Sequence, residues 1–331
     1  MSDYLLTIAI PTYNGAKTIR NALDILLPQC TDEIELVISD NTSTDETPEI
    51  IAEYQKLYPI RYIRNKINIG PDANFLQCMK LASGKFTYLL SDDDILVEGA
   101  VEKIILFLKK YPHVSLVYLD SVGFEAEYKG LESCHRYLEH VQIPQQDICT
   151  KNRITFMNYA IRMWGFMSSF LWRTDKFRTI ENPERFFGTY WLQSYIHFLC
   201  VTNPNDELGV ISGPCLAAGE YPGVNNFATD VVDGVNYKKM LDFGIENAFF
   251  DKKQLYSFYV WRLSILGRQA ILKERESGIH KTNVSKLFLQ LWKYPYAWKK
   301  TIPCIVVPRW FIILRKKVLH KSLMNDRVKR G

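Results

Sequence analysis

The sequence predicts an α/β fold in which helices flank a mostly parallel sheet and a mainly helical region follows. Over the first 120 residues, short apolar runs rich in β-branched residues alternate with segments whose apolar residues recur at helical spacing. Such alternation builds βαβ units, whose parallel strands are buried on both faces. Beyond residue 233 the helical spacing dominates, so the two parts of the chain differ in architecture.

The first part divides into strands and helices that are bounded by Pro, Gly or a polar loop. The predicted strands are Tyr4–Ile10, Ile34–Ile38, Ile60–Ile63, Phe86–Leu90 and Val114–Leu119. The predicted helices are Ala16–Leu27, a segment that begins near Pro48 and ends before Pro59, Asp72–Leu81 and Gly99–Lys109.

Between residues 121 and 230 the pattern is weaker. It predicts a helix followed by a strand, Met167–Arg173, then a helix in GTYWLQSYIHFLCV and one or two strands in LGVISGPCLAAGEY. Farther along, the clearest helices are Met240–Phe250 and Gln254–Lys273.

The net charge of +5 is unevenly distributed. Residues 281–331 hold 13 Lys and Arg against one acidic residue, Asp326, whereas the rest of the chain is mildly acidic. The seven cysteines form no C-x-x-C pair, which argues against a zinc site or a disulfide scaffold and favours a reducing compartment. The N-terminal residues do not resemble a secretory signal, and no apolar run reaches the roughly 20 residues of a membrane-spanning helix.

Four polar clusters follow the first four strands: PTYN at 11–14, SDNTSTD at 39–45, NKINIG at 65–70 and SDDD at 91–94. Each alone is also typical of a solvated turn. Because ligands of open parallel sheets bind at the carboxyl ends of the strands, we expect the four clusters to lie together at a site. Three consecutive carboxylates repel one another, so they need full solvation, basic partners or a bound cation.

The order IPTYN, ELVISDNTSTDET, NKINIG and GKFTYLLSDDDIL resembles that of family 2 nucleotide-sugar glycosyltransferases of the GT-A fold. The chain is most similar to the bacterial O-antigen and capsule enzymes of the abequosyltransferase-like group. This resemblance implies a GT-A domain over residues 1–230, with a nucleotide-binding half (1–120) and an acceptor half (121–230). A helical, basic region over 231–331 then follows, to which the resemblance does not extend.

The resemblance implies that the acidic turn binds Mn²⁺ or Mg²⁺, which would reconcile the carboxylates with a nucleotide diphosphate. Asp93 is the first candidate ligand, Asp92 a ribose contact or second ligand, and Asp94 a ligand or an orienting group. Because Ser91 stands where the usual D-x-D-D pattern begins with Asp, the identity of the ligating pair stays open.

The other clusters would contact the nucleotide. By resemblance, Asp40 accepts a hydrogen bond from the imide of a uracil or thymine base, although Asp40 or Asn41 could instead cap its loop. Gly70 could equally form a plain turn into a helix. The full set of implied nucleotide-binding residues is Pro11, Thr12, Tyr13, Asn14, Asp40, Asn41, Asn68, Gly70 and Asp92.

Inverting members of the family carry a catalytic carboxylate, commonly in an E-D pair that opens a helix. Thr189 and Tyr190 occupy that position here, and no E-D pair follows. The candidate catalytic residues are therefore Glu184, Asp175 and His197, each of which also has an ordinary structural interpretation. The missing pair leaves a retaining mechanism open.

Two further segments have alternative interpretations. Residues 220–226 (EYPGVNN) match either a family loop over donor and acceptor or a surface turn. The C-terminal stretch places Trp292, Trp298 and Trp310 beside basic residues, which suits a membrane interface, a helix packed on the body being the alternative. No nucleic-acid-binding motif is present, so nucleic acid is not an expected partner.

We therefore expect a metal-dependent glycosyltransferase that moves a sugar from a nucleotide-sugar donor to a hydroxyl of a lipid-linked surface polysaccharide precursor, with inversion favoured. It would be peripheral on the cytoplasmic face of a bacterial plasma membrane. The alternative is a non-catalytic member of a polysaccharide assembly complex that binds nucleotide-sugar or glycan. A nucleotidyltransferase and an NAD-dependent oxidoreductase are disfavoured because their Gly-rich phosphate loops do not follow the first strand.

Overall fold

The computed structural model of the chain describes residues 4–125, 127–135, 144–220, 229–277 and 282–306. The chain divides into two compact units. Unit 1 comprises residues 1–222 and 242–251, and unit 2 comprises residues 223–241 and 252–331.

Unit 1 is built on one mixed sheet. Its described strands are β1 (Leu6–Thr12), β2 (Ile34–Asp40), β3 (Ile60–Arg64), β4 (Phe86–Leu89), β5 (Ile95–Leu96), β6 (Val114–Glu125), β7 (Ile148–Thr150), β8 (Phe170–Arg173) and β9 (Glu207–Glu220). They are hydrogen-bonded in the order β3-β2-β1-β4-β8-β6-β9-β5, and β7 pairs with β9.

The first four strands are parallel, as the alternation of strands and helices predicted. In the register of the sheet, Thr12 lies beside Asp40 and Asp40 lies beside Arg64, so β1, β2 and β3 end at one edge. The amide of Leu90, just beyond β4, donates to the carbonyl of Ala9 in β1. The four polar clusters therefore follow strands whose carboxyl ends share this edge, which we call the carboxyl edge.

The second half of the sheet adds antiparallel pairs. β8 lies antiparallel between β4 and β6, β6 is parallel to β9, and β5 and β7 run antiparallel to β9. Buried strands look alike in sequence whichever way they run, so the apolar pattern could not reveal these directions.

Helices connect the strands of unit 1 or belong to unit 2. Their bounds are α1 (Ile19–Leu26), α2 (Thr47–Gln55), α3 (Pro71–Leu81), α4 (Ala100–Lys110), α5 (Arg153–Ala160), α6 (Thr174–Arg178), α7 (Leu192–Leu199), α8 (Tyr237–Ala248), α9 (Lys252–Ser277), α10 (Val284–Leu291), α11 (Pro295–Lys300) and α12 (Ile302–Val306). The predicted helices of the first part agree with α1 to α4, and their ends differ by a few residues.

Unit 2 is helical in its described residues. The side chain of Asn283 caps α10 by accepting a hydrogen bond from the amide of Lys286 at 3.0 Å. The hydroxyl of Thr301 donates to the carbonyl of Ser264 at 2.7 Å, which fixes the end of α11 on α9. None of the helices described in either unit combines the length and the apolar character needed to cross a membrane.

Candidate functional site

The acidic turn (Ser91–Asp94) leaves β4 at the carboxyl edge. The amide of Asp94 donates to the carbonyl of Ser91 at 3.2 Å, which closes the turn. The hydroxyl of Ser91 donates to Asp93 Oδ1 at 2.5 Å. Asp92 and Asp93 are half-buried and remain open to solvent, whereas Asp94 is only 2% exposed. The three consecutive carboxylates therefore have different environments.

Asp94 uses both carboxylate oxygens inside the protein. Its Oδ2 accepts a hydrogen bond from the hydroxyl of Ser168 at 2.6 Å, and its Oδ1 accepts one from the amide of Gly219 at 3.1 Å. Burial and the nearby charge of Asp93 raise the pKa of Asp94 well above its usual range. Of the two roles that the sequence suggested for Asp94, these contacts favour the orienting group over the metal ligand.

Asp92 faces the end of β1. The hydroxyl of Thr12 donates to Asp92 Oδ2, and Gly15 lies so close to this oxygen that no Cβ would fit between them. Burial raises the pKa of Asp92 to about 7, and although the hydrogen bond from Thr12 opposes this rise, the charge of Asp93 adds to it. Repulsion between the neighbouring carboxylates of Asp92 and Asp93 is therefore part of what raises the pKa of Asp92.

This donor set fits a divalent cation that a nucleotide helps to hold. In the described part of the chain, no three His, Cys, Asp or Glu side chains converge on one point. Mg²⁺ and similar ions commonly bind one or two carboxylates together with substrate phosphates and water. Asp92 and Asp93 would supply the protein ligands, and a cation would offset the repulsion between their charges.

Asp40 ends β2 and is fully buried. Its Oδ1 accepts from the amide of Ser43 at 2.8 Å, and its Oδ2 accepts from the hydroxyl of Tyr62 at 2.7 Å. Arg64 Nε lies 3.5 Å from the same Oδ2. Both oxygens therefore accept hydrogen bonds within the protein and shape the loop after β2, while a contact of Asp40 with a nucleobase stays a prediction of the resemblance.

The clusters after β2 and β3 meet through Asn41 and Asn68. The amide nitrogen of Asn41 donates to Asn68 Oδ1 at 2.9 Å, and Asn41 Oδ1 accepts from the backbone amide of Ile69 at 2.9 Å. Gly70, whose amide also donates to Asn68, has a φ of 85° that favours glycine. Pro71 then begins α3. The structure therefore brings these predicted nucleotide contacts together.

The cluster after β1 joins the same region. Pro11 and Thr12 are buried at the end of β1, whereas the Tyr13 side chain is 49% exposed at the carboxyl edge. Asn14 has a φ of 56°, its amide donates to Ser43 Oγ at 2.9 Å, and its Oδ1 accepts from the amide of Thr44 at 2.8 Å. Tyr13 is thus an exposed ring next to Asn14, which joins the segment after β1 to the loop after β2.

Two of the three candidate bases, Asp175 and Glu184, lie away from the acidic turn. Asp175 follows β8, and because β8 is antiparallel to β4, with Arg173 beside Phe86, Asp175 lies at the opposite edge of the sheet. It is exposed and paired with Arg173 at 2.7 Å. Glu184 forms an exposed ion pair at 2.7 Å with Lys80, near the end of α3 that is remote from the carboxyl edge.

His197 is sealed inside unit 1. It is 0% exposed, and its ring lies 4.5 Å from that of Phe170, 5.5 Å from that of Trp164 and 5.7 Å from that of Trp172. Burial lowers the pKa of His197 to about 3. A general base must reach the hydroxyl that it deprotonates, and an enclosed imidazole cannot do so.

Another carboxylate, from α3, contacts the segment where the family pattern places its acids. The amide of Gly188 donates to Asp72 Oδ2 at 2.7 Å, which joins the segment before α7 to the first turn of α3 at the carboxyl edge. Burial raises the pKa of Asp72. Tyr190, two residues after Gly188, is 54% exposed and has a φ of 66°, an uncommon backbone conformation for a bulky residue.

Sequence reasoning missed Gly15, Asp72 and Ser168. Gly15 directly follows PTYN and Asp72 opens a predicted helix, so both had a local signal. Ser168 lies 74 positions after Asp94, and only the pairing of β8 with β4 brings the two together. The predicted loop over donor and acceptor falls largely on residues 221–226, which lie outside the described residues.

Comparisons with known proteins agree with the sequence resemblance. The model of the family described as glycosyl transferase family 2 matches residues 7–170. The chain is 26% identical over 220 residues to the abequosyltransferase RfbV of Salmonella typhimurium, a match that covers 63% of this chain and 65% of that protein. It is 30% identical over 112 residues to a GalNAc(5)-diNAcBac-PP-undecaprenol beta-1,3-glucosyltransferase of Campylobacter jejuni, which covers 33% of this chain and 36% of that one.

Among solved structures, the chain is similar to residues 1–349 of S. aureus TarS. In the complex with UDP-GlcNAc the TM-score is 0.58 at 17% identity, with 82% of this chain and 73% of that chain covered. In the complex with UDP the TM-score is 0.56 at 18% identity. At this identity the likeness shows the fold alone, and it confirms the predicted GT-A fold class. The matches span less than two thirds of the length of the curated relatives named above.

Proposed function

Residues 7–170 form a glycosyl transferase family 2 domain, and from this premise we propose that the chain transfers a sugar from a nucleotide-sugar donor to a hydroxyl of a lipid-linked surface polysaccharide precursor. The observation that carries the proposal is the pair Asp92 and Asp93, partly exposed at the edge where the nucleotide clusters meet. The names of the Salmonella and Campylobacter relatives support a sugar-transfer reaction and, for the second, a lipid diphosphate-linked acceptor.

In this mechanism the carboxyl edge binds the donor. Tyr13 presents an exposed ring to the nucleoside, and the loop that Asn41 and Asn68 stabilise lies beside it. Asp92 and Asp93 would hold a divalent cation, Mg²⁺ or Mn²⁺, which would supply charge stabilisation to the departing diphosphate. Thr12 fixes Asp92 and Asp94 fixes the turn, so that the ligands are oriented before the donor arrives.

Asp72 is the carboxylate that we assign to deprotonation of the acceptor hydroxyl in an inverting reaction. It is bound to Gly188, in the segment where the resemblance places the catalytic acids. Burial raises the pKa of Asp72, which makes it a stronger base than an exposed carboxylate. The exposed Tyr190 on the same segment offers an apolar surface to a sugar ring.

Unit 2 would bring the enzyme to the cytoplasmic face of the membrane. On and between α10 and α11, the side chains of Leu289, Trp292 and Trp298 are 65%, 53% and 51% exposed. The Lys residues 286, 293 and 299 are exposed beside them, and residues 284–300 contain no acidic side chain. Exposed Trp beside Lys suits the headgroup region of an anionic bilayer. Trp310 and the other basic residues beyond 306 lie outside the described residues.

A donor assay tests the proposed function. The purified protein is given UDP-, GDP-, CDP- and dTDP-sugars with a membrane extract as acceptor source, and release of nucleoside diphosphate is measured with Mn²⁺ and with EDTA. We expect one nucleotide class to be consumed, and only with Mn²⁺. Metal-dependent binding of a nucleotide-sugar without any turnover would favour the alternative, a non-catalytic binding member of an assembly complex. Asp175 and Glu184 lie away from the acidic turn and His197 is enclosed, which favours testing this second function.

A further inference from the structure

The acidic turn is held at both ends by one hydroxyl from the antiparallel half of the sheet. Ser168 lies in the short 3₁₀ turn Met167–Ser169 that leads into β8 and is 0% exposed. Its Oγ accepts a hydrogen bond from the backbone amide of Ser91 at 2.9 Å and donates to Asp94 Oδ2 at 2.6 Å. Ser91 and Asp94 are the first and last residues of the turn, so Ser168 spans it.

Ser168 is itself fixed by neighbouring strands. Its carbonyl accepts a hydrogen bond from the hydroxyl of Tyr88, a residue of β4, at 2.6 Å. Tyr88 lies beside Leu171 in the antiparallel pairing of β4 and β8, three residues after Ser168. The serine is thus a rigid part of the sheet, and its hydroxyl has a defined position relative to the turn.

We propose that Ser168 is a positioning residue that sets the spacing of Asp92 and Asp93 for a divalent cation by fixing the two ends of the turn between which they lie. This inference rests on the proposed function. Groups that orient metal ligands from behind commonly change metal affinity by about 10- to 100-fold when they are removed. Ser168 acts through Ser91 and Asp94 and does not itself touch the cation.

The neighbouring serine provides a matched control. Ser169 is also 0% exposed, and its hydroxyl finds no hydrogen-bond partner among the described residues. Removal of either hydroxyl changes the volume of the same buried turn equally. Only removal of the Ser168 hydroxyl releases the acidic turn.

The experiment follows the melting temperature in the presence of the nucleoside diphosphate that binds the wild type, while Mn²⁺ is titrated. It measures the Mn²⁺ concentration at which the rise in melting temperature is half-maximal. We expect Ser168→Ala to raise this concentration about tenfold or more and Ser169→Ala to leave it unchanged, while melting without ligand shows that both variants fold. If Ser168→Ala does not fold, Ser168→Cys, which retains the volume with a weaker donor, replaces it. An unchanged Mn²⁺ requirement in the folded Ser168 variant would overturn the inference and leave the proposed function intact.

A double-mutant cycle with Asp94→Asn separates positioning from independent effects. Because Ser168 acts through Asp94 as well as through Ser91, the rise in the Mn²⁺ requirement of the double variant should be smaller than the product of the two single rises. If the two effects instead multiply, Ser168 does not act through Asp94 and the inference fails. A wild-type protein that shows no metal-dependent nucleotide binding would overturn the proposed function, and this inference with it.

Discussion

Gly15 lies against the carboxylate of Asp92, and a Cβ added at Gly15 would overlap Asp92 Oδ2 and crowd Thr12 Oγ1. Asp92 Oδ2 already accepts a hydrogen bond from Thr12. A larger residue at position 15 would therefore require the side chains of Asp92 and Thr12 to move. This contact ties the first strand to the fourth at the centre of the candidate site.

Replacement of Gly15 by alanine should displace Asp92. We expect Gly15→Ala to lower metal-dependent nucleotide binding about tenfold, in line with the loss of a ligand's support, with only a small change in melting temperature without ligand. Isothermal titration of nucleoside diphosphate in Mn²⁺ measures the effect. The adjacent Ala16→Ser serves as the control, and wild-type affinity in Gly15→Ala would show that Asp92 can move without consequence.

Asp72→Asn should separate catalysis from binding. The amide retains an oxygen that can accept from Gly188 but cannot take a proton, so we expect turnover to fall by about 10² or more, as general-base removal commonly does. Donor affinity should stay within a few-fold of the wild type. Glu184→Gln, which alters only an exposed ion pair with Lys80, is the control. Full turnover in Asp72→Asn would support the retaining mechanism or another base.

His197 should make folding stability depend on pH in a defined window. Its pKa is lowered to about 3 by burial, against about 6.5 in an unfolded chain. Between these values the unfolded state binds the proton and the folded state does not, so the stabilisation is complete above pH 6.5 and is lost as pH falls. Each pH unit in this window should cost about 1.4 kcal/mol.

Urea unfolding from pH 7 down to about pH 4.5 measures this effect. His197→Phe, which suits the aromatic surroundings, should remove the contribution of His197 to the change of the unfolding free energy with pH. The difference between wild type and variant isolates this contribution because the other titrating groups are the same in both. His113→Gln, at an exposed histidine, should keep the wild-type slope. Identical slopes in wild type and His197→Phe would contradict the burial argument.

The surface of α10 and α11 should bind anionic vesicles. We expect the double variant Trp292→Ala, Trp298→Ala to reduce co-sedimentation with phosphatidylglycerol vesicles several-fold, because two exposed apolar rings no longer enter the interface. Leu106→Ala, at an exposed apolar residue of unit 1, is the control. Equal sedimentation of all three proteins would place membrane binding elsewhere or remove it.

Sequence patterns predicted the parallel half of the fold well because β-branched runs and helical periodicity alternate there with clear stops. The same regularity placed the four polar clusters at one edge, and Asn41, Asn68 and Tyr13 do lie there. Asp40 shows what pattern alone cannot decide, since the direction of its carboxylate depends on Tyr62 and Arg64 in the next strand.

The rest depended on tertiary contacts that no local pattern carries. The direction of β8 decides that Asp175 lies at the opposite edge and that Ser168 reaches the acidic turn. Packing among three aromatic rings, which removes His197 from candidacy as a base, likewise arises from separate elements. Asp72 had only the weak signal of an acid in the first turn of a helix.

The most direct test of the account is nucleotide binding by wild type, Asp93→Asn and Asp175→Asn, titrated with the preferred nucleoside diphosphate in Mn²⁺ and in EDTA. Asp175 is the control because it is an exposed carboxylate at the opposite edge. We expect Mn²⁺ to strengthen binding to wild type and Asp175→Asn but not to Asp93→Asn, with similar weak binding of all three in EDTA. Undiminished Mn²⁺-dependent binding by Asp93→Asn would contradict a metal site in the acidic turn that includes Asp93.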